Sequence, residues 1–145
     1  MTDRLLIDTH IALWLDSGND QLKSATRDLI DECWKSGGTI LLSAVSTWEI
    51  ALLVDRGHIQ LDLPLRDWFE RFLNRPGVQA VALDHQTAIR AYQMHHLEHR
   101  DPGDRLLIAS AIELNCPFVT YDDRIVRFGR TRGAEYGFKL AEFAG

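Results

Sequence analysis

Four acidic residues stand where this chain changes from one kind of run to another. Asp8 closes the apolar stretch Leu5-Leu6-Ile7, and Asp122 follows Pro117-Phe118-Val119-Thr120 by two residues. Glu49 comes shortly after Thr39-Ile40-Leu41-Leu42, and Asp104 opens the apolar run Leu106 to Ala111. Carboxylates gathered within a few ångströms repel one another and raise each other's pKa. A divalent cation removes that repulsion, and an all-oxygen donor set suits Mg²⁺ or Mn²⁺ rather than zinc. Such a site can lower the pKa of a bound water and stabilise a leaving oxygen, which is hydrolytic chemistry. No Ser or Cys nucleophile motif competes with this reading.

Each acid also has a plain structural use. Asp8 and Asp101 are suitable helix N-caps, with Pro102 at the first helical position. Asp104 in the first turn meets the positive end of the helix dipole. Ser46-Thr47-Trp48-Glu49 reads as a capping box, and Asp122-Asp123 as turn residues. What favours chemistry is the place where the supporting elements deliver them.

Strand-like runs at 5–7, 39–42, 78–82 and 117–120 alternate with helical patterns, and Tyr136 to Leu140 adds a possible edge strand. Ser24 reads as the cap of a helix to about Lys35, and Asp84 as the cap of one carrying Ile89, Tyr92 and Met94. Alternation of this kind predicts a parallel sheet with helices on both faces. Right-handed crossovers then bring the carboxyl ends of the strands to one rim, where α/β proteins keep their clefts. Asp8, Glu49 and Asp122 fall on that rim, and Asp104 reaches it after a helix and a loop. His10, two residues past Asp8, either orients a substrate or bonds locally. His95, His96 and His99 have no partner at a zinc spacing and read as a solvated loop. Trp14 and Trp48 are expected in the core, whereas Trp68, Phe69 and Phe72 suit either core packing or an exposed apolar patch.

The 145 residues, 46% hydrophobic and 26% charged, fit one ordinary globular domain. No apolar run approaches the ~20 residues of a membrane span, and the N-terminus carries no signal-peptide pattern. Cys33 and Cys116 form no metal or redox motif and read as core thiols of a reducing compartment, hence the cytoplasm. A net charge of −5 counts against a simple nucleic-acid-binding module, but not against an enzyme whose acids hold cations.

Leu6-Ile7-Asp8-Thr9-His10, Ser46-Thr47-Trp48-Glu49-Ile50, His99 through Ala109 and Val119-Thr120-Tyr121-Asp122 occur in the order and spacing of one known family. The chain resembles PIN-domain ribonucleases over nearly its whole length, in particular VapC-type toxins of toxin–antitoxin modules. The match is poorest after Arg127. The resemblance implies a three-layer α/β/α PIN-like fold around a mostly parallel sheet of four to five strands, one domain over residues 1–145. It implies a metal-dependent endoribonuclease whose acidic quartet is Asp8, Glu49, Asp104 and Asp122, accompanied by the hydroxyls of Thr9 and Thr120. One or two Mg²⁺ or Mn²⁺ ions would be held chiefly by Asp8 and Asp104, with Asp122 completing the site and Glu49 acting as base or holding a water. Asp101 is left as cap or secondary ligand. Substrate contacts are expected from Thr9, His10, Thr120, Arg105 and Arg124, with Arg127 and Arg130 as further phosphate partners. Expected partners are a cognate antitoxin covering the cleft, an RNA substrate, a second copy in a homodimer, and operator DNA only through the antitoxin. Two other readings remain: a non-catalytic domain acting with its antitoxin on DNA, and an aspartate-nucleophile phosphatase. The latter needs an aspartate where His10 stands.

Overall fold

The computed structural model describes residues 3–141. Four strands, β1 (Arg4–Ile7), β2 (Thr39–Ser43), β3 (Val78–Val81) and β4 (Phe118–Val119), form one sheet in the order β3-β2-β1-β4. Every neighbouring pair is parallel. In β1 the side chains alternate between faces, as a strand's period of two requires. Leu5 and Ile7 join one apolar cluster with Ile40 and Leu42, while Leu6 joins the other with Leu41 and Phe118. A strand apolar on both faces must be covered on both.

The covering helices are α1 (Thr9–Ser17), α2 (Ser24–Lys35), α3 (Ala44–Asp55), α4 (Leu65–Leu73), α5 (His85–Arg90), α6 (Pro102–Leu114), α7 (Asp123–Thr131) and the short α8 (Gly133–Tyr136). Ile11 of α1, Ile30 and Cys33 of α2, and Trp68, Phe69 and Phe72 of α4 pack on the first face. Leu107, Ile108 and Ala111 of α6 pack on the second with Ile125 and Phe128 of α7. The result is the expected three-layer architecture with an all-parallel sheet of four strands. Leu140 adds only a single parallel bridge to Phe118.

Several local expectations are corrected. The tail from Tyr136 does not form an edge strand: α8 occupies Gly133–Tyr136, and only Leu140 pairs. Ser24 is the first helical residue of α2, and its N-cap, Lys23, makes no side-chain cap bond. The capping box at Ser46 and Glu49 does not form, because α3 begins two residues earlier, with the Ser43 hydroxyl accepting from Val45 N. Trp68, Phe69 and Phe72 are core residues and offer no exposed patch. Trp48, expected inside, is 52% exposed, and Ile89 and Tyr92 about α5 are also exposed.

The register positions the site. Leu6 lies opposite Leu41 and Phe118, and Ile7 opposite Val119. Continuing one residue puts Asp8 level with Thr120, and Asp8 N donates to Val119 O at 3.0 Å. Asp8 thus leaves β1 at the rim where β4 also ends, and it caps α1 by accepting from Thr9 N. Asp101 caps α6 with Pro102 just inside, as expected.

Candidate active site

The acids at this rim are linked into a ring by hydrogen bonds and close approaches. Asp8, only 3% exposed, accepts from Thr9 N through Oδ1 at 2.8 Å and from the Thr120 hydroxyl through Oδ2 at 2.7 Å. Thr120 Oγ1 in turn accepts from Asp122 N at 3.0 Å, so one hydroxyl ties the end of β1 to the start of α7. Asp122 caps α7, its Oδ1 accepting from Arg124 N at 2.9 Å and Ile125 N at 3.2 Å.

From Asp122 the ring passes to α6. Donor atoms of His99, Asp104 and Asp122 lie within 4.8 Å of one another, and so do those of Glu49, Asp101 and Asp104. Asp104 belongs to both sets. His99 Nε2 is hydrogen-bonded to Asp104 Oδ2, and Asp104 N donates to Asp101 Oδ1 at 3.0 Å. The Thr9 hydroxyl, which donates to Glu49 Oε1 at 2.7 Å and lies 2.9 Å from Ser46 Oγ, closes the circuit back to Asp8.

Gly103 makes the approach of α6 to α3 possible. A Cβ there would meet Glu49 Oε2 at 2.9 Å and Asp101 Oδ1 at 3.2 Å. A side chain there would make the Glu49 carboxylate shift from its place.

Burial dominates the electrostatics. It pushes the Asp8 carboxyl up to about 6, with the Thr120 and Thr9 hydrogen bonds opposing and the Asp122 charge adding. Glu49 rises to about 7, again mainly by burial, against the Thr9 bond and reinforced by Asp8, Asp104 and Asp101. Asp104 rises to about 6 by burial and then by Asp8 and Asp101, with His99 opposing. Carboxylates this reluctant to charge alone form an oxygen-rich set that a divalent cation would satisfy. The donor chemistry therefore fits a hard cation, with the His99 nitrogen as the exception to an all-oxygen set.

His10 is held as a neutral ring. Its Nε2 accepts from Tyr121 N at 3.0 Å, and Nδ1 lies 3.6 Å from Asp8 Oδ2. Burial lowers its pKa, against the pull of Asp122 and Asp104. Its ring lies 5.0 Å from Trp14 and 6.0 Å from Tyr121, so an aromatic wall flanks Asp8.

Asp8, Thr9, His10, Glu49, Asp104, Thr120 and Asp122 are thus brought to one place, and Asp101 with them. Arg105 is not at the ring. Its guanidinium donates to the carbonyls of His99, Ala91 and Leu97 at 2.7–2.9 Å and stacks over Tyr92, which makes it the organiser of the 95–100 loop. That loop holds the chief surprise, since His99 leaves the solvent while His95 and His96 stay exposed. The His99 ring is 8% exposed and bonded to Asp104. The sequence signal was a histidine just ahead of an Asp-Pro helix start. Arg124 and Arg127 are exposed on α7, while Arg130 does not line the cavity they share.

An acid ring at the carboxyl rim of an all-parallel four-stranded sheet, reached by the N-terminus of a buried helix, is the arrangement to set against known proteins. Residues 5–131 match the PIN domain family, and the chain belongs to it. Among curated proteins it is similar to Ribonuclease VapC22 of Mycobacterium tuberculosis, 29% identical over 121 residues that cover 83% of this chain and 88% of that one. Among solved structures it resembles VapBC2 from Rickettsia felis bound to a promoter DNA fragment, with a TM-score of 0.68 and 15% identity over 97% of this chain and 99% of that one. FitAcB from Neisseria gonorrhoeae is similar with a TM-score of 0.60 and 16% identity, covering 93% of this chain and 96% of that one. At these identities the solved structures speak for the fold. Among the described residues no helix is long and apolar enough to cross a membrane.

Proposed function

We propose that this chain is a metal-dependent endoribonuclease and the toxin half of a toxin–antitoxin pair. The observation that carries the reading is the ring Asp8–Thr120–Asp122–Asp104–Glu49–Thr9, whose acids come from separate elements, with Asp8, Glu49 and Asp104 pushed up in pKa by burial and neighbouring charge. The ribonuclease relative and the toxin–antitoxin complexes among the structural neighbours support the same reading.

In this proposal Asp8, Asp104 and Asp122 hold Mg²⁺ or Mn²⁺, with Asp101 and Glu49 lending oxygens on the α3 side. When bound, the cation neutralises the phosphodiester and lowers the pKa of the attacking water. The protein does the rest. Thr120 and Thr9 N fix both oxygens of Asp8, so the carboxylate cannot turn away from the rim. Thr9 orients Glu49, which takes the proton from water; a base whose pKa stands near neutrality suits that role. His99 holds Asp104 from behind. His10, neutral and locked to Tyr121 N, cannot serve as the acid that a phosphatase of the aspartate-nucleophile type needs two residues after its nucleophile.

An antitoxin and a second copy of the chain are the proposed protein partners, and the exposed Leu83, Ile89 and Tyr92 supply apolar surface for such contacts. The test is cleavage of end-labelled RNA by the purified chain. Cleavage should require Mg²⁺ or Mn²⁺ and stop with EDTA. Asp8→Asn and Asp104→Asn, confirmed folded by circular dichroism, should each lose roughly a hundredfold or more. Folded variants that cleave and arrest growth like the parent overturn the proposal, and absence of cleavage by the parent with either cation favours the non-catalytic alternative.

A further inference from the structure

Beside the acid ring lies a cavity of about 570 Å³ that the ring does not explain. One wall is α7, which presents Arg124, Arg127, Phe128 and Thr131, spaced as one helical face. The other wall is the loop that carries His95 and His99. His99 belongs to both places, since its ring lines the cavity and bonds Asp104. The cavity therefore adjoins the acid ring through His99.

Its charge runs against the rest of the molecule. The chain carries −5 overall, yet the lining holds three arginines against one acid, Glu98. At the far end Arg132 is satisfied by Glu135 at 3.0 Å, and His96 is bonded to Tyr136. At the end nearer Asp122 the cations are free: Arg124 and Arg127 make no ion pair among the described residues. Unpaired guanidiniums one helical turn apart, facing a concave surface, are suited to bidentate recognition of successive phosphates.

We propose that this groove is the track for the phosphates of an RNA strand flanking the cleaved bond, with Arg124 and Arg127 as its binding groups. The choice of RNA rests on the nuclease reading. A polyanion led along α7 arrives at the cation-binding ring, whereas an acidic peptide gains nothing from that continuity. The exposed His95 offers its ring to the strand, and Phe128 contributes apolar lining.

The experiment measures binding of a short labelled single-stranded RNA by fluorescence anisotropy in a non-cleaving Asp8→Asn background, with Mg²⁺ constant and salt varied. Each phosphate contact on a single strand contributes about 0.7 to the slope of log K against log salt. Arg124→Gln and Arg127→Gln should each lower that slope by about 0.7, which is roughly a fivefold loss of affinity at 0.1 M salt relative to 1 M. Arg66→Gln, an exposed cation on α4, should change neither quantity. A folded double variant that keeps the parent's affinity and slope overturns the proposal. So does an absence of RNA binding, and so does polyglutamate displacing RNA at equal charge, which assigns the groove to an acidic protein segment. Cleavage by the otherwise unaltered chain is followed in parallel. Cleavage that survives in the double variant at parental kcat/KM sinks the groove and leaves the nuclease. RNA binding that depends on both arginines, without cleavage under either cation, sinks the nuclease and leaves the groove.

Discussion

Replacing Asp8 by asparagine should make the metal-free protein more stable, even though it removes a proposed catalytic group. The carboxyl has its pKa raised from 3.8 to about 6, chiefly by burial. In the unfolded chain it ionises freely near 4. Between about pH 4 and pH 6 the folded state therefore keeps a proton that the unfolded state has lost, and stability falls as pH rises. Above the folded pKa the full penalty stands, about 3 kcal/mol for a shift of roughly two units. Asparagine keeps an acceptor for Thr9 N but leaves the Thr120 hydroxyl without its acceptor, a loss of about 1 kcal/mol. The net gain at pH 8 in EDTA is then about 2 kcal/mol, or roughly 4–8 °C in Tm for a chain of this size. Near pH 4 the gain should vanish or reverse. Saturating Mg²⁺ should reverse it at pH 8, since the cation stabilises only the parent. Urea denaturation of parent and variant from pH 4 to pH 8 measures all three. A variant less stable than the parent at pH 8 in EDTA, or a difference that ignores pH, would refute the idea that burial and not a hydrogen-bond network governs this carboxylate.

Gly103→Ala places a Cβ against Glu49 Oε2 and Asp101 Oδ1 and should depress RNA cleavage at least about tenfold while thermal stability moves by less than ~1 kcal/mol, read by paired kinetics and melting. His99→Asn removes the partner of Asp104 and should weaken Mn²⁺ affinity about 10–100-fold, measured by calorimetry on a variant whose circular dichroism matches the parent. Arg105→Gln breaks three bonds to loop carbonyls and should cost about 2–3 kcal/mol in denaturant unfolding, with faster amide exchange in residues 91–99. Phe72→Ala should cost about 3–5 kcal/mol in the same assay, because the ring is fully buried and stacked 5.2 Å from Trp68.

What could be read from the chain was whatever depends on neighbours in sequence. Leu5-Leu6-Ile7 announces a strand covered on both faces, and an acid at its end must lie on the rim whatever the helices do. Asp101 and Pro102 mark a helix start by local hydrogen bonding alone, and the structure keeps it. Glu49 shows where such reasoning stops. Ser46 and Glu49 have capping-box spacing, but Ser43 lies at the end of β2 with an extended backbone and takes the cap first. Tertiary placement decided between two acceptable starts. The His99–Asp104 bond was beyond local reading for a different reason. It depends on a loop shaped by Arg105 bonding to carbonyls up to fourteen residues away. Trp68, Phe69 and Phe72 carry the pattern of a buried face and of a docking face equally well, and only the packing of α4 on the sheet separates them.

The position of β1 in the sheet has a consequence for how the molecule comes into being. Strand β1 is flanked by β2 and by β4, and the bond between Asp8 and Thr120 at its end spans 112 positions of sequence. A nascent chain that has emerged only as far as Asn115 holds Asp8, Glu49 and Asp104 but neither Thr120 nor Asp122. Contacts this remote in sequence form late, because the loop they close must be organised first. Assembly of the ring therefore waits until residues 117–122 are available, and a fragment that stops short of them carries three of the acids without the hydroxyl that ties β1 to α7.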